Sequence, residues 1–188
     1  YTSVYWSNNL FSKEAVDMLR RSADQGYEQA QIVLAYVYVN GPDELKELET
    51  GIAILEDLAE HNNSMALCNL EVCYEAGLGV SEDIGRALEL LERSAENDYA
   101  PAIAYLASWY MDGLRISQDY KKAMKLYKAA AEQGYPAAQF YLGQMYENGW
   151  GVSPNKRKAM KLYKSAQAQG FDMAQAIGQQ NQMLRHIL

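Results

Sequence analysis

Apolar and polar positions along this chain recur with a period of 36 residues. Alanine stands at Ala30, Ala66, Ala102, Ala138 and Ala174; leucine follows four residues later at Leu34, Leu70, Leu106 and Leu142, and tyrosine eight later at Tyr38, Tyr74, Tyr110 and Tyr146. Spacings of four and eight bring these residues to one helical face, so each alanine opens a helix, A, whose core they form. Glycine eleven after the alanine (Gly41, Gly77, Gly113, Gly149) ends that helix, twice within a Gly-x-Gly-Val turn. Asp83, Asp119 and Asn155 then stand where a side-chain oxygen can cap a second helix, B, with Ala87, Ala123 and Ala159 four residues on. Helix B carries the apolar pairs Ile54–Leu55, Leu90–Leu91, Leu126–Tyr127 and Leu162–Tyr163, and its end falls at Gly26, Asn62, Asp98, Gly134 or Gly170. Glycine, asparagine and aspartate best tolerate positive φ, so a left-handed residue is expected to turn the chain into each following repeat.

The pattern predicts an all-α chain of helix-turn-helix repeats and no second fold. It divides 1–188, read as one domain, into a partial repeat at 1–29, full repeats at 30–65, 66–101, 102–137 and 138–173, and a closing helix at 174–188. The ends are irregular. Residues 12–26 read as a lone helix B behind a Tyr1–Phe11 segment without the A pattern, and in the closing helix Gly178 and Gln182 replace the expected leucine and tyrosine. Within the first full repeat Gly51 replaces the helix B alanine and the turn reads Gly41-Pro-Asp-Glu, so a different loop is expected there.

Composition adds little to the fold but changes the electrostatics. Residues 1–100 carry a net charge of −13 and residues 101–188 one of +6, within an overall −7. Cys68 and Cys73 lie five apart on one A helix, on different faces, and are expected to be buried, reduced thiols without metal or redox roles. No run of about 18 apolar residues appears that could span a bilayer. The chain is read as soluble. It begins at Tyr1 rather than Met, which leaves a cytoplasmic or, after removal of a signal peptide, a periplasmic or secreted location open.

The segment Ala-Gln-Phe-Tyr-Leu-Gly-Gln-Met-Tyr-Glu-Asn-Gly-Trp-Gly-Val (138–152), followed by Lys-Ala-Met-Lys-Leu-Tyr-Lys-Ser-Ala (158–166) and Gly170, resembles the Sel1-like repeat, a relative of the tetratricopeptide repeat. The resemblance covers about residues 12–180. It implies a right-handed α-solenoid and a role typical of adaptors and scaffolds, common in bacteria and often linked to export or host interaction. One cysteine-rich branch of that family bridges its helices by disulfides, a pattern this chain lacks.

No reactive constellation is present. His61 and His186 read as solvated surface residues, no phosphate-binding Gly-Lys-Ser/Thr loop occurs, and the Gly-x-Gly-Val turns lack the strand that a dinucleotide site requires. Neither an enzyme nor a cofactor or metal is expected.

The resemblance implies that helix A lines a concave groove, and its positions that vary in polarity between repeats are expected to face a partner. They are Tyr36, Val39 and Asn40; Val72 and Glu75; Ser108, Met111 and Asp112; and Gln144, Glu147 and Asn148, with Asn69, Tyr105 and Tyr141 flanking them. Some of the tyrosines could instead pack beneath the next repeat. The four A helices hold no Lys or Arg but do hold Glu71, Glu75, Asp112 and Glu147, which points to a neutral or basic protein or peptide. On helix B, Lys121, Lys122, Lys125 and Lys128 recur one period later as Arg157, Lys158, Lys161 and Lys164, a convex basic patch. It reads first as a solvated face, then as a contact for an acidic protein or membrane surface; nucleic acid comes last because the chain as a whole is acidic. The leading expectation is a non-catalytic interaction module. A specific inhibitor or regulator of an enzyme or toxin, and a salt-sensitive head-to-tail self-association, are the alternatives.

Overall fold

The computed structural model describes residues 10–177, and among these it contains α-helices and no strand. Gly178, Gln182 and His186 lie outside that range. The helices are α1 (Lys13–Ala23), α2 (Glu28–Asn40), α3 (Leu48–Glu60), α4 (Ser64–Ala76), α5 (Ile84–Glu96), α6 (Ala100–Asp112), α7 (Tyr120–Glu132), α8 (Pro136–Asn148) and α9 (Lys156–Ala168), and a further helix begins at 173. α1 takes the B position alone. α2, α4, α6 and α8 are the A helices, and α3, α5, α7 and α9 their B partners.

Local chemistry sets the boundaries. Asp83 Oδ1 accepts from Arg86 N–H, Asp119 Oδ1 from Lys121 and Lys122, and Asn155 Oδ1 from Lys158, all at 2.9 Å, each satisfying orphan donors at the start of a B helix. The joints between repeats are left-handed at all five expected positions, with φ of +83° at Gly26, +61° at Asn62, +56° at Asp98, +85° at Gly134 and +77° at Gly170. At the second joint Asn62 donates to Asn97 Oδ1 at 2.8 Å, and Asn97 donates to the Asn62 carbonyl at 3.1 Å, so the turn is tied to the far end of α5.

The first full repeat departs as its sequence suggests. Gly41 is extended (φ −71°, ψ 175°) where Gly77, Gly113 and Gly149 are left-handed, and a short 3-10 turn, Asp43–Leu45, fills the loop. Gly51 allows a close approach there, since a Cβ would sit tightly, 3.0 Å from Val39 Cγ2 and 3.2 Å from the Ala35 carbonyl. That close approach also buries Val39 to 5% exposure, so Val39 belongs to the core and not to a partner-facing surface.

Contacts gather into two compact units, residues 1–97 and 98–188. In the first, α1 to α5 pack in succession around Ile32, Leu34, Ala35, Leu55, Leu58, Leu67, Leu70 and Leu90. In the second, α6 packs on α7, α7 on α8 and α8 on α9, around Trp109, Tyr127, Phe140, Leu142 and Met145. The A helices are covered over most of their circumference. The B helices bury one stripe only, Ala87, Leu90, Leu91 and Ser94 in α5 for example.

Asp98 accepts a backbone conformation that glycine adopts without cost. Asp98→Gly is expected to stabilise the protein by roughly 0.5–1 kcal/mol and Asp98→Val to destabilise it by about 1–2 kcal/mol in urea denaturation; the opposite order would show that the joint is not left-handed in solution.

Candidate functional site

Each A helix leaves one face open. In the first unit that face carries Tyr36 at 44% exposure and Val72 at 40%, the same repeat position one period apart, beside exposed Asn40 and half-buried Asn69 and Glu75. Asn40 Nδ2 donates back to the Tyr36 carbonyl at 3.2 Å, a bond within the last turn of α2. Glu71, expected among the acids of this face, is fully buried (0%) at a position where the other repeats place Ala35, Ala107 and Gly143. The acid that this face of the first unit keeps is therefore the half-buried Glu75.

In the second unit the corresponding face carries Tyr105, Ser108, Met111, Gln144 and Tyr141, all half-buried, and exposed Asp112, Glu147 and Asn148. Tyr105 meets the buried Trp109 edge-on at 6.1 Å. Tyr141 stacks on the fully buried Tyr127 at 5.5 Å and meets Phe140 edge-on at 5.3 Å, so much of its ring is core. Burial raises both hydroxyl pKa values, that of Tyr127 well above the usual phenol value.

The acids here are held in place. Glu147 accepts from Tyr163 Oη at 2.7 Å, and burial together with that bond raises the Tyr163 pKa. Tyr163 reaches across because residue 143 is glycine: a Cβ there would stand 2.6 Å from Tyr163 Cε1. Asp112 accepts from Leu114 N–H at 2.9 Å and lies 3.7 Å from Arg115, whose guanidinium sits over Trp109 at 5.4 Å. Arg115 escapes a helix-by-helix reading because it lies in the loop after α6. It offsets Asp112 and leaves Glu147 as the stronger attraction for a cation.

The B faces repeat a contact that residue counting does not reveal. Lys122 Nζ donates to Tyr110 Oη at 2.6 Å and stands 4.3 Å from that ring, while Lys158 Nζ lies 5.0 Å from the Tyr146 ring. Arg86 holds the same position two periods before Lys158 but pairs with Glu89 at 2.6 Å. Lys122 and Lys158, like Tyr110 and Tyr146, are 36 residues apart, so one clasp between helix B and helix A recurs in two successive repeats. Two of the eight residues of the basic patch are thus engaged inside their repeats, and Lys128 lies 3.7 Å from Glu132. Lys121, Lys125, Arg157, Lys161 and Lys164 are exposed along α7 and α9.

Groups with reactive potential are quiet. Cys68 and Cys73 are free thiols, Cys73 buried and Cys68 half-buried and 3.3 Å from Ser94 Oγ, and burial pushes both pKa values up to about 11. His61 is exposed with Nδ1 2.8 Å from the Asp57 carbonyl, which raises its pKa. Among the described residues no group of His, Cys, Asp and Glu is placed to hold a metal ion, and no helix is long and apolar enough to cross a membrane.

The Sel1 repeat profile matches residues 12–27, 64–99, 100–135 and 136–171. It leaves out 28–63, where Gly51 and the extended Gly41 alter the turn. A crystal structure of a Sel1 repeat protein from Oxalobacter formigenes is similar at 25% identity and a TM-score of 0.72, covering 84% of this chain and 63% of that one. The structure of c5321, a protective antigen present in uropathogenic Escherichia coli strains and displaying an SLR fold, is similar at 30% identity and a TM-score of 0.71, covering 88% of this chain and 36% of that one. A sel1 repeat protein from Klebsiella pneumoniae subsp. pneumoniae shares the fold at 22% identity and a TM-score of 0.56, covering 89% of this chain and 83% of that one. The chain thus spans less than two thirds of the length of either of the first two. No curated protein sequence matches it.

With both pKa values near 11, roughly 0.1% of either cysteine is thiolate at pH 8, so neither is expected to react with a thiol-specific chromogenic reagent until urea unfolds the chain. Because an unfolded thiol titrates near 8.5, this burial stabilises the fold fully below about pH 8.5, and the contribution is lost as pH rises through about 11. Rapid labelling of the native protein would place a thiol at the surface instead.

Proposed function

The chain belongs to the Sel1 repeat family, whose fold is generally a non-catalytic protein–protein interaction module, and from that premise we propose that the open faces of its A helices bind a partner protein through an extended or loop segment that is neutral or basic. The observation that carries this reading is the chemistry of those faces. On helices largely covered elsewhere, they combine exposed or half-buried apolar groups with carboxylates and carry no base.

Each unit offers its own version. Tyr36 and Val72 give the first an apolar stripe, beside half-buried Glu75. The second pairs half-buried aromatic surface at Tyr105 and Tyr141 with Met111 and the oriented Glu147. Aromatic and methionine side chains anchor partner loops by burying area at low entropic cost, and carboxylates held by neighbours attract a cation without first being ordered. Asn40 and Asn148 each donate one amide N–H to the Tyr36 and Gln144 carbonyls, and their remaining amide groups can pair with a partner's backbone.

A photo-crosslinking residue at position 36 or 105 is expected to capture a protein from the native source, and Glu75→Lys with Glu147→Lys to cut that capture by at least about tenfold while circular dichroism stays unchanged. Reversal at Asp112 is expected to matter less, because Arg115 already neutralises it. Equal capture by wild type and the reversed variant would remove the A faces as the binding surface.

A further inference from the structure

The B helices of the two units carry opposite charge at the same repeat positions. At the first position Glu49 of α3 corresponds to Lys121 of α7 and Arg157 of α9. Four residues on, Glu89 of α5 corresponds to Lys125 and Lys161; three further, Glu56 and Glu92 correspond to Lys128 and Lys164. Offsets of four and seven residues put the three positions on one stripe of each helix, and apart from half-buried Glu92 these side chains are all exposed. α3 carries Glu49, Glu56, Asp57 and Glu60 and no base, while α9 carries five bases and no acid. Of the bases on α5, Arg86 pairs with Glu89 at 2.6 Å and offsets it, and Arg93 donates to the Ala59 carbonyl at 2.9 Å, so neither neutralises Glu92 or Glu96 directly and the stripe's charge rests on Glu49, Glu56 and Glu92.

We propose that the acidic B-helix stripe of the first unit is a docking surface for the basic B-helix stripe of the second unit of another copy of this chain. Charge complementarity in register favours this occupant over other anions. The acidic and basic groups hang on the same helical positions, and Glu56 and Glu92 recur with the 36-residue period of Lys128 and Lys164, so those pairs match in spacing. A membrane or nucleic acid offers no such matched spacing. The net charge of −7 opposes approach at long range, but about 0.1 M salt screens that repulsion beyond about 10 Å while pairs in contact persist. Lys122 and Lys158 take no part, being held against Tyr110 and Tyr146.

The test is the mass in solution, measured by light scattering on the order of 100 μM protein. In about 0.1 M salt wild type is expected at twice the 21.2 kDa chain mass or more, falling back to 21.2 kDa near 1 M, where the screening length is about 3 Å. K125E/K161E is expected to be monomeric in about 0.1 M salt, and so is E56K/E92K, each with association weakened more than about tenfold. A 1:1 mixture of the two variants is expected to regain the higher mass, because each then presents to the other the charge that its own copies lack. Far-UV circular dichroism confirms that both variants are folded, and K128E/K164E serves if the first basic variant is not. A wild type that stays at 21.2 kDa in about 0.1 M salt overturns the proposal. So does a mass unmoved by either reversal, or a mixture that stays monomeric. None of these results depends on the A faces, so this proposal and the partner-binding reading fail separately.

Discussion

Close packing of helix against helix over alanine is the constraint on which the rest of this structure depends. Ala66, Ala102 and Ala138 on the A helices and Ala87, Ala123 and Ala159 on the B helices are all at 2% exposure or less. Small side chains at these points let helix axes approach toward the short end of the usual 8–10 Å range, and larger residues then fill the space on either side. Where the approach is closest the chain uses glycine: Gly51 under Val39 and Tyr38, and Gly143 under the Tyr163 ring.

That packing divides the labour between the two kinds of helix. An A helix, covered on most sides, has one strip of surface left, and on that strip apolar and acidic groups are concentrated. A B helix needs only a stripe of alanine, leucine or tyrosine inward, so its outer positions are unconstrained by the core. Charge there can invert from glutamate to lysine between repeats without disturbing a packed residue. The cation–tyrosine clasp is the exception, since it ties one outer position of helix B back to the tyrosine of helix A.

The fold was legible in the sequence wherever a position admits few residue types. Positive φ restricts a site to glycine, asparagine or aspartate, and helix capping to short oxygen-bearing side chains, so joints and B-helix starts could be placed to the residue. Exposure was harder to read. Variation in polarity between repeats served as its sign, and it failed at Val39, where Gly51 draws α3 close; Glu71, counted among the acids of helix A, occupies a core position held elsewhere by alanine or glycine. The clasp was visible as two series with the period of 36, yet lysines in a row look like a solvated face until geometry pairs them. Arg115 was missed because attention to helices passes over loops.

The left-handed joints have one more consequence. Gly26, Asn62, Asp98, Gly134 and Gly170 share a conformation and a place relative to the helices on either side. A cut from one joint to the next removes one helical hairpin and rejoins equivalent ends, whereas a cut of any other length turns the next helix to the wrong face. Length in such a chain comes in whole repeats, and a gene encoding it can lengthen or shorten by recombination between its own repeats without creating a new junction.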